Sequence, residues 1–378
     1  MKNMINMDNL IYVSPNIFPS RAAHTVHIMN MCQSFSNNGL NVTLLIPLKL
    51  KNIFLSDKKL KNYYSVNNFS IIRIPILPTV YGVKLFSYLS LILVKIIKPE
   101  ICYSRSFIIA NLFTSYNINT IFETHGLDFK NFRKYNILER LSLKKVVVIS
   151  KALLDLYIKK NINTLKFEVR HDGANIDLKN NNAKIDFNDN KTHVGYVGHL
   201  YQGRGIKLIM DLALNRKKLI FHIVGGTETD ISYWTNVSLE MGLTNVIFEG
   251  YLNHGKATTL RKSFDILLAP YENKVAISGG AGDTSQWMSP LKIFEYMSDA
   301  KPILVSDLPV LHEVLKHKFS CLFCKVNDLE DWLENLDILT DNKEFGKMIA
   351  ANSFNDLKNN YTWDIRASNI IEDIEFNK

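Results

Sequence analysis

The densest chemistry in the sequence lies at Tyr196-Val197-Gly198-His199-Leu200-Tyr201-Gln202-Gly203-Arg204-Gly205. An apolar, strand-like run leads into it and a helical pattern leaves it. Gly198, Gly203 and Gly205 let backbone approach a ligand closely, and a helix start offers unpaired N–H groups. Arg204 adds a fixed cation whose fork matches phosphate oxygens. Such a set, with His199 beside it, holds a diphosphate without a metal. The spacing is not that of a dinucleotide-binding loop, so NAD is not expected.

The second stretch is the Gly-rich loop from Ile277 to Met288, followed by Ser289-Pro290-Leu291-Lys292-Ile293-Phe294-Glu295-Tyr296-Met297. Ser289 suits an N-cap and Pro290 the first helical position. The N–H groups of Leu291 and Lys292 would then face an anion, and Glu295 would reach sugar hydroxyls one turn later. Gly225-Gly226 closes the run LIFHIVGG, and Tyr251-Leu252 follows Phe248-Glu249-Gly250. Backbone just after Gly250 can read a base edge, and Tyr251 can stack on it.

Two segments nearer the N-terminus fit the sugar or acceptor side. Phe122-Glu123-Thr124-His125-Gly126-Leu127 puts a Glu and a His two residues apart at a strand end. That pair can hold hydroxyls or polarise a reacting group. Phe18-Pro19-Ser20-Arg21-Ala22-Ala23-His24 precedes a helix, and its small residues suit a phosphate or acceptor contact.

Other chemistry is missing. No Asp-x-Asp follows a strand, so no metal-held nucleotide is expected. Cys321 and Cys324 have no second ligand pair at zinc spacing. Neither a Walker lysine loop nor a nucleophile elbow occurs.

These residues need strand ends to position them. Short apolar runs at Leu10–Val13, Val42–Ile46, Ile71–Ile76, Ile101–Tyr103, Thr120–Phe122 and Val146–Ile149 alternate with helical patterns. The second series is His193–Val197, Leu219–Val224, Asn245–Phe248, Ile266–Ala269, Pro302–Val305 and Ser320–Phe323. All-apolar runs alternating with helices predict an α/β fold of parallel sheets covered on both faces. Two such halves suggest a cleft between strand carboxyl ends. The expected domains are residues 1–178 on the acceptor side and 192–360 for the nucleotide-sugar, joined by the polar linker 179–191. Residues 361–378 form a helix expected to cross back to the first domain.

The chain of 378 residues is long enough for two cores, and 47% hydrophobic with 21% charged residues is the balance of a folded domain. Four scattered cysteines and no basic-then-apolar leader point to a cytoplasmic setting. The net charge of +9 is uneven. Residues 1–185 hold 25 Lys and Arg against 10 Asp and Glu; residues 186–378 hold 20 against 26. The basic half suits an anionic lipid, glycan or nucleic acid. Aromatic-interleaved basic motifs are lacking, so nucleic acid is not expected. Leu85–Ile97 is too short to span a bilayer and contains Lys95, which reads as a core helix or one lying on a membrane.

In this order the motifs resemble the retaining glycosyltransferases of the family-4 type with the GT-B fold, in the subgroup that builds bacterial surface glycans. The resemblance covers nearly the whole chain. Gly198-His199-Leu200 with Arg204-Gly205 is similar to the family's diphosphate clamp. His171-Asp172-Gly173-Ala174-Asn175-Ile176-Asp177 resembles the segment closing the first domain. Ser289–Met297 with Lys301-Pro302-Ile303 resembles the donor helix and its following strand. The resemblance implies that Glu295 takes ribose hydroxyls and that His125 lies near donor sugar and acceptor. It implies a nucleotide-sugar donor as co-substrate, no cofactor, and a hydroxyl acceptor on a glycan; the basic first half adds the expectation of a lipid-linked or surface-glycan acceptor met at the inner membrane face. Two positions depart from the pattern. Trp287 stands where the family commonly has a first Glu, leaving Asp283 as a substitute, and His199 stands where Arg is common. A nucleotide-sugar epimerase or a non-catalytic sugar-binding homologue shares the same layout.

Overall fold

The computed structural model describes residues 8–49, 53–76, 82–176, 184–276 and 282–374. The chain divides into two compact units. Residues 1–171 with 363–378 form the first, and residues 172–362 form the second.

The first unit is built on β1 (Asn9–Val13), β2 (Asn41–Leu48), β3 (Ser70–Pro75), β4 (Ile101–Ser104), β5 (Thr120–Thr124), β6 (Leu143–Val148) and β7 (Phe167–Val169). They form one parallel sheet in the order β3-β2-β1-β4-β5-β6-β7. Its helices are α1 (Ala23–Asn37), α2 (Asp57–Tyr63), α3 (Gly82–Ile97), α4 (Phe107–Ser115), α5 (Phe129–Tyr135) and α6 (Lys151–Lys159). Strands β4 and β5 are buried at every residue, which is why each carries a short apolar run, Ile101–Tyr103 and Ile121–Phe122. β7 has no such run; it is a three-residue edge strand, half-buried throughout, and its residues carry no strand signal in the sequence.

The second unit holds β8 (His193–Val197), β9 (Ile220–Val224), β10 (Val246–Gly250), β11 (Ile266–Ala269), β12 (Ile303–Ser306) and β13 (Leu322–Cys324). Its parallel order is β10-β9-β8-β11-β12-β13. The helices are α7 (Ile206–Asn215), α8 (Glu228–Glu240), α9 (His254–Arg261), α10 (Leu291–Ser298), α11 (Leu329–Asp341) and α12 (Lys343–Asn360). Met210, Phe221, Ile223, Trp332 and Leu336 fill the core beneath one face. Gly195 is required there, because a Cβ would sit 1.9 Å from the Phe264 ring. Both sheets are of the doubly wound, Rossmann-like type, and in each the strand order reverses once, at β1/β4 and at β8/β11. Ligands of open α/β sheets bind beyond the strand carboxyl ends at such reversals.

The last helix, α13 (Trp363–Ile371), belongs to the first unit, where Asp364 and α1's Asn37 and Asn38 are hydrogen-bonded. Of the expected linker, residues 184–191 are described. They pack on the second unit, with Phe187 stacked 3.8 Å from the His193 ring and the Ile185 N–H donating to Ser263 Oγ at 2.6 Å. Residues 177–183, Asp177 among them, and 277–281 of the Gly-rich loop lie outside the described residues.

Candidate active site

β8 ends at Val197, at the reversal of the second sheet, and the chain turns through Gly198 and His199. Three glycines make this turn possible. A Cβ on Gly205, which sits at φ +68°, would lie 1.8 Å from the Pro270 carbonyl oxygen. One on Gly203 would lie 2.2 Å from that of Lys274. Gly225, at φ +117°, would meet the Gly198 oxygen at 2.0 Å. So Gly225 and Gly226 serve close packing of the loops around the site.

Into this turn project two cations. The Arg204 guanidinium donates to the Ala276 carbonyl at 3.1 Å, while its Nε is buried with no hydrogen-bond partner. Lys292, on the first turn of α10, places its Nζ 3.8 Å from the centroid of the Tyr196 ring. That Nζ is also buried and unpartnered. Arg204 and Lys292 share the Tyr271 ring, at 5.7 and 5.3 Å from its centroid. Desolvation and then the Arg204 charge hold the Lys292 ammonium well below the usual lysine range. His199, stacked 4.9 Å from Tyr201, is lowered too, by desolvation, Arg204 and Lys292. Two basic groups with unpartnered nitrogens, Arg204 and Lys292, therefore converge at a strand end beside His199.

α10 is anchored to this point by Tyr296. Its hydroxyl accepts from the Val197 N–H at 2.9 Å and donates to the Leu268 carbonyl at 3.2 Å. Glu295 is held from behind. Its Oε2 accepts from Arg261 Nη1 at 3.1 Å, and the same buried arginine is bound by Asp299. Glu295 remains partly exposed. Tyr251 is exposed and Leu252 half-buried, just past β10.

Three expectations need correction. α10 begins at Leu291, so Pro290 is the N-cap, in an extended conformation, and no side chain caps the helix. The Ser289 hydroxyl is turned away to accept from the Asp172 N–H at 2.9 Å. Asp283, expected on the sugar side, accepts from the Val275 N–H at 3.0 Å and the Ser285 N–H at 2.9 Å. Its carboxylate pins a loop. Glu123, also expected on the sugar side, is fully buried.

Glu123 is the hub of a network in the first unit. Tyr103 donates to it, His27 Nε2 and Arg366 Nη2 each lie 2.9 Å away, and His125 Nε2 lies at 2.5 Å. Burial would raise this carboxyl, but Arg366, His27 and the hydrogen bond from His125 outweigh it and hold it well below the carboxylate range. Glu123 therefore orients His125, which is the partly exposed member of the group. Oxygens already shared by a guanidinium make a poor metal ligand, so the group reads as an ion-paired network. At the start of α1, the Ser20 N–H donates to the Tyr64 hydroxyl at 2.7 Å and Ser20 Oγ accepts from the Ala22 N–H at 3.2 Å. Arg21 is exposed beside them, and Ala22, the N-cap residue, carries no side-chain cap.

Sequence reasoning missed Tyr196, Tyr271, Arg261, His27 and Arg366. Tyr271 follows β11 at a strand end, a place where the same rule would have found it. Arg261 and Arg366 carried no sequence signal, because each acts on a residue far away in the chain.

The glycine turn, the two cations and Glu295 all fall within one recognisable stretch. Residues 177–356 match the family model of glycosyl transferases group 1. Gly198, Arg204, Lys292 and Glu295 all lie within the matched residues. No curated protein matches the sequence at a significant level. Among solved structures, a glycosyltransferase from Rickettsia africae ESF-5 is similar over 97% of both chains, with 14% identity and a TM-score of 0.73. Anabaena Alr3699/HepE, in complex with UDP, covers 97% of this chain and 99% of its own, at 12% identity and a TM-score of 0.71. A TarM variant from S. aureus, in complex with Fondaparinux, alpha-GlcNAc-glycerol and UDP, covers 98% and 100%, at 11% identity and 0.71. The chain has the fold of these GT-B glycosyltransferases.

Proposed function

We propose that the protein is a retaining glycosyltransferase that moves a sugar from a nucleotide-sugar to a hydroxyl of a glycan or lipid-linked acceptor in surface polysaccharide synthesis. The observation that carries this reading is the Arg204–Lys292 pair: two buried cations with unpartnered nitrogens and the shared Tyr271 ring. Desolvated cations facing one point are stabilised by an anion brought there. A leaving diphosphate gains negative charge in the transition state, and fixed cations stabilise that charge with no reorganisation. No metal is called for in this scheme. Glu295, braced by Arg261, takes the ribose hydroxyls. The sugar leaves from the face the acceptor approaches, and the departing phosphate takes the acceptor proton.

The neighbours support the donor class: Alr3699/HepE is a UDP complex, and the TarM variant is in complex with Fondaparinux, alpha-GlcNAc-glycerol and UDP. The test incubates the purified chain with a panel of nucleotide sugars and hydroxyl acceptors. One donor should raise the melting temperature and transfer its sugar with retained anomeric configuration. Arg204→Ala should lower turnover about 10²–10³-fold while folding normally. Conversion of the donor with no acceptor present would mark an epimerase instead, and unchanged turnover in Arg204→Ala would defeat the assignment.

The lipid-linked acceptor draws support from α3. Phe86, Leu91 and Val94 face the core, while Leu85, Tyr88, Ile92 and Ile96 are exposed along one side beside Lys84, Lys95 and Lys98. Apolar residues edged by lysines suit an anionic membrane surface. No helix among the described residues is long and apolar enough to cross a membrane. Anionic vesicles should pull the protein down at low salt, and Ile92→Ser with Ile96→Ser should abolish that. Equal binding by this variant would remove α3 from the reading.

A further inference from the structure

Gly198, Gly225 and Tyr251 lie at the carboxyl edge of the second sheet. The opposite edge, where the strands begin, also carries a cavity. It measures about 510 Å³ and is bounded by the starts of β11 and β12 and by α11 and α12. Strands of four or five residues separate the two edges by roughly 15 Å, so this is a different place from the Arg204 site.

The cavity is cationic. Lys184, Lys262, Lys301, Lys343 and Lys347 line it, against only two carboxylates, Asp265 and Asp299. Both carboxylates are engaged elsewhere. Asp265 accepts from the His193 N–H at 2.8 Å, and Asp299 is bound to Arg261. Among the described residues Lys347 alone of the five forms an ion pair, with Glu344 at 2.7 Å. Lys262 is only 7% exposed, and its charge acts on Asp299, which Arg261 already holds. Burial first, and then the Lys184 charge, hold the Lys301 ammonium below its ordinary range, against the opposing effect of Asp265 and Asp299. The opening turns of α12, through Lys343 and Gly346, form one wall, and the positive end of that helix adds to the field. Ile266, Pro302 and Leu339 supply an apolar floor.

Lys262 and Lys301 are withdrawn from solvent while Lys184, Lys343 and Lys347 are exposed around them, and like charges gathered in this way are eased by an anion that joins them. The volume lies within the range of small-molecule sites. We propose that this cavity binds a phosphorylated small molecule, with its phosphates against Lys262, Lys301 and Lys343 and its organic part on the Ile266–Leu339 floor. It is a second anion site, independent of the donor diphosphate.

The test separates the two. In the Arg204→Ala chain, where the donor site is disabled, inorganic tripolyphosphate is titrated calorimetrically at about physiological salt, where weak surface attraction is largely screened. Tripolyphosphate should still bind. Adding Lys301→Ala and Lys343→Ala should weaken it at least tenfold. Lys343 is exposed, so Lys343→Ala alone tests the site in a chain that folds, with a severalfold loss expected. No binding in the Arg204→Ala chain, or an affinity indifferent to both lysine substitutions, would overturn the proposal and leave the donor assignment untouched.

Discussion

A methyl group on Gly198 would lie 2.9 Å from Lys292 Nζ and 3.1 Å from its Cε. The glycine thus makes room for the lysine's charged end at the strand terminus. Gly198→Ala meets the tip of a flexible side chain, but Gly198 sits at φ +159°, which an L side chain rarely adopts, so the fold should survive at a cost of about 1–3 kcal/mol. The ammonium must move, however, and turnover with the nucleotide-sugar should fall at least tenfold. Gly225→Ala makes the contrast. Its Cβ would meet backbone, the Gly198 oxygen at 2.0 Å, so thermal unfolding should show a loss of several kcal/mol (strain alone is about 1–3).

Lys292 sits below its usual range because burial and Arg204 disfavour its charged form. A bound diphosphate favours that form and raises the value again. Binding should therefore take up protons, and affinity should fall as pH rises. Calorimetry of UDP binding in buffers of different ionisation enthalpy reads the uptake directly. Lys292→Met should abolish it; uptake that persists would place the titrating group elsewhere.

Arg261 links Glu295 to Asp299 from a buried position. Removing it leaves Asp299 buried without its cation, which typically costs about 3–5 kcal/mol. Arg261→Met should lower the melting temperature sharply. Arg261→Lys should keep more of the stability, because one cation remains. It should still raise the KM for the donor, because an ammonium lacks the fork that braces both carboxylates.

Glu123 has its carboxyl held well below the usual range by Arg366, His27 and the hydrogen bond from His125, against the opposing effect of burial. A depressed carboxyl stabilises the fold above its unfolded value, near 4.3. That contribution is lost as pH falls through the folded value. Glu123→Gln should cost roughly 3–5 kcal/mol at neutral pH, since Arg366 stays buried without its counter-charge. It should also flatten the acid limb of the stability curve. Denaturant unfolding from pH 3 to pH 7 measures both.

The sequence by itself determined the class of fold and where each sheet would place its strand ends. Parallel strands covered on both faces are predominantly apolar, so β1, β4, β8 and β11 announce themselves as short apolar runs. Gly198, Gly203, Gly205 and Arg204 were legible for the same local reason, since a tight turn between a strand and a helix needs glycine. Tertiary structure decided what lies far apart in the chain. Only folding brings Arg261 to Glu295, Arg366 to Glu123, and Lys301 to the start of α12. It also turned Ser289 from helix cap to acceptor for Asp172, and Asp283 from ligand contact to loop pin. A carboxylate or hydroxyl has the same sequence letter whether it meets solvent, a ligand or a backbone N–H; its neighbours in space choose among them.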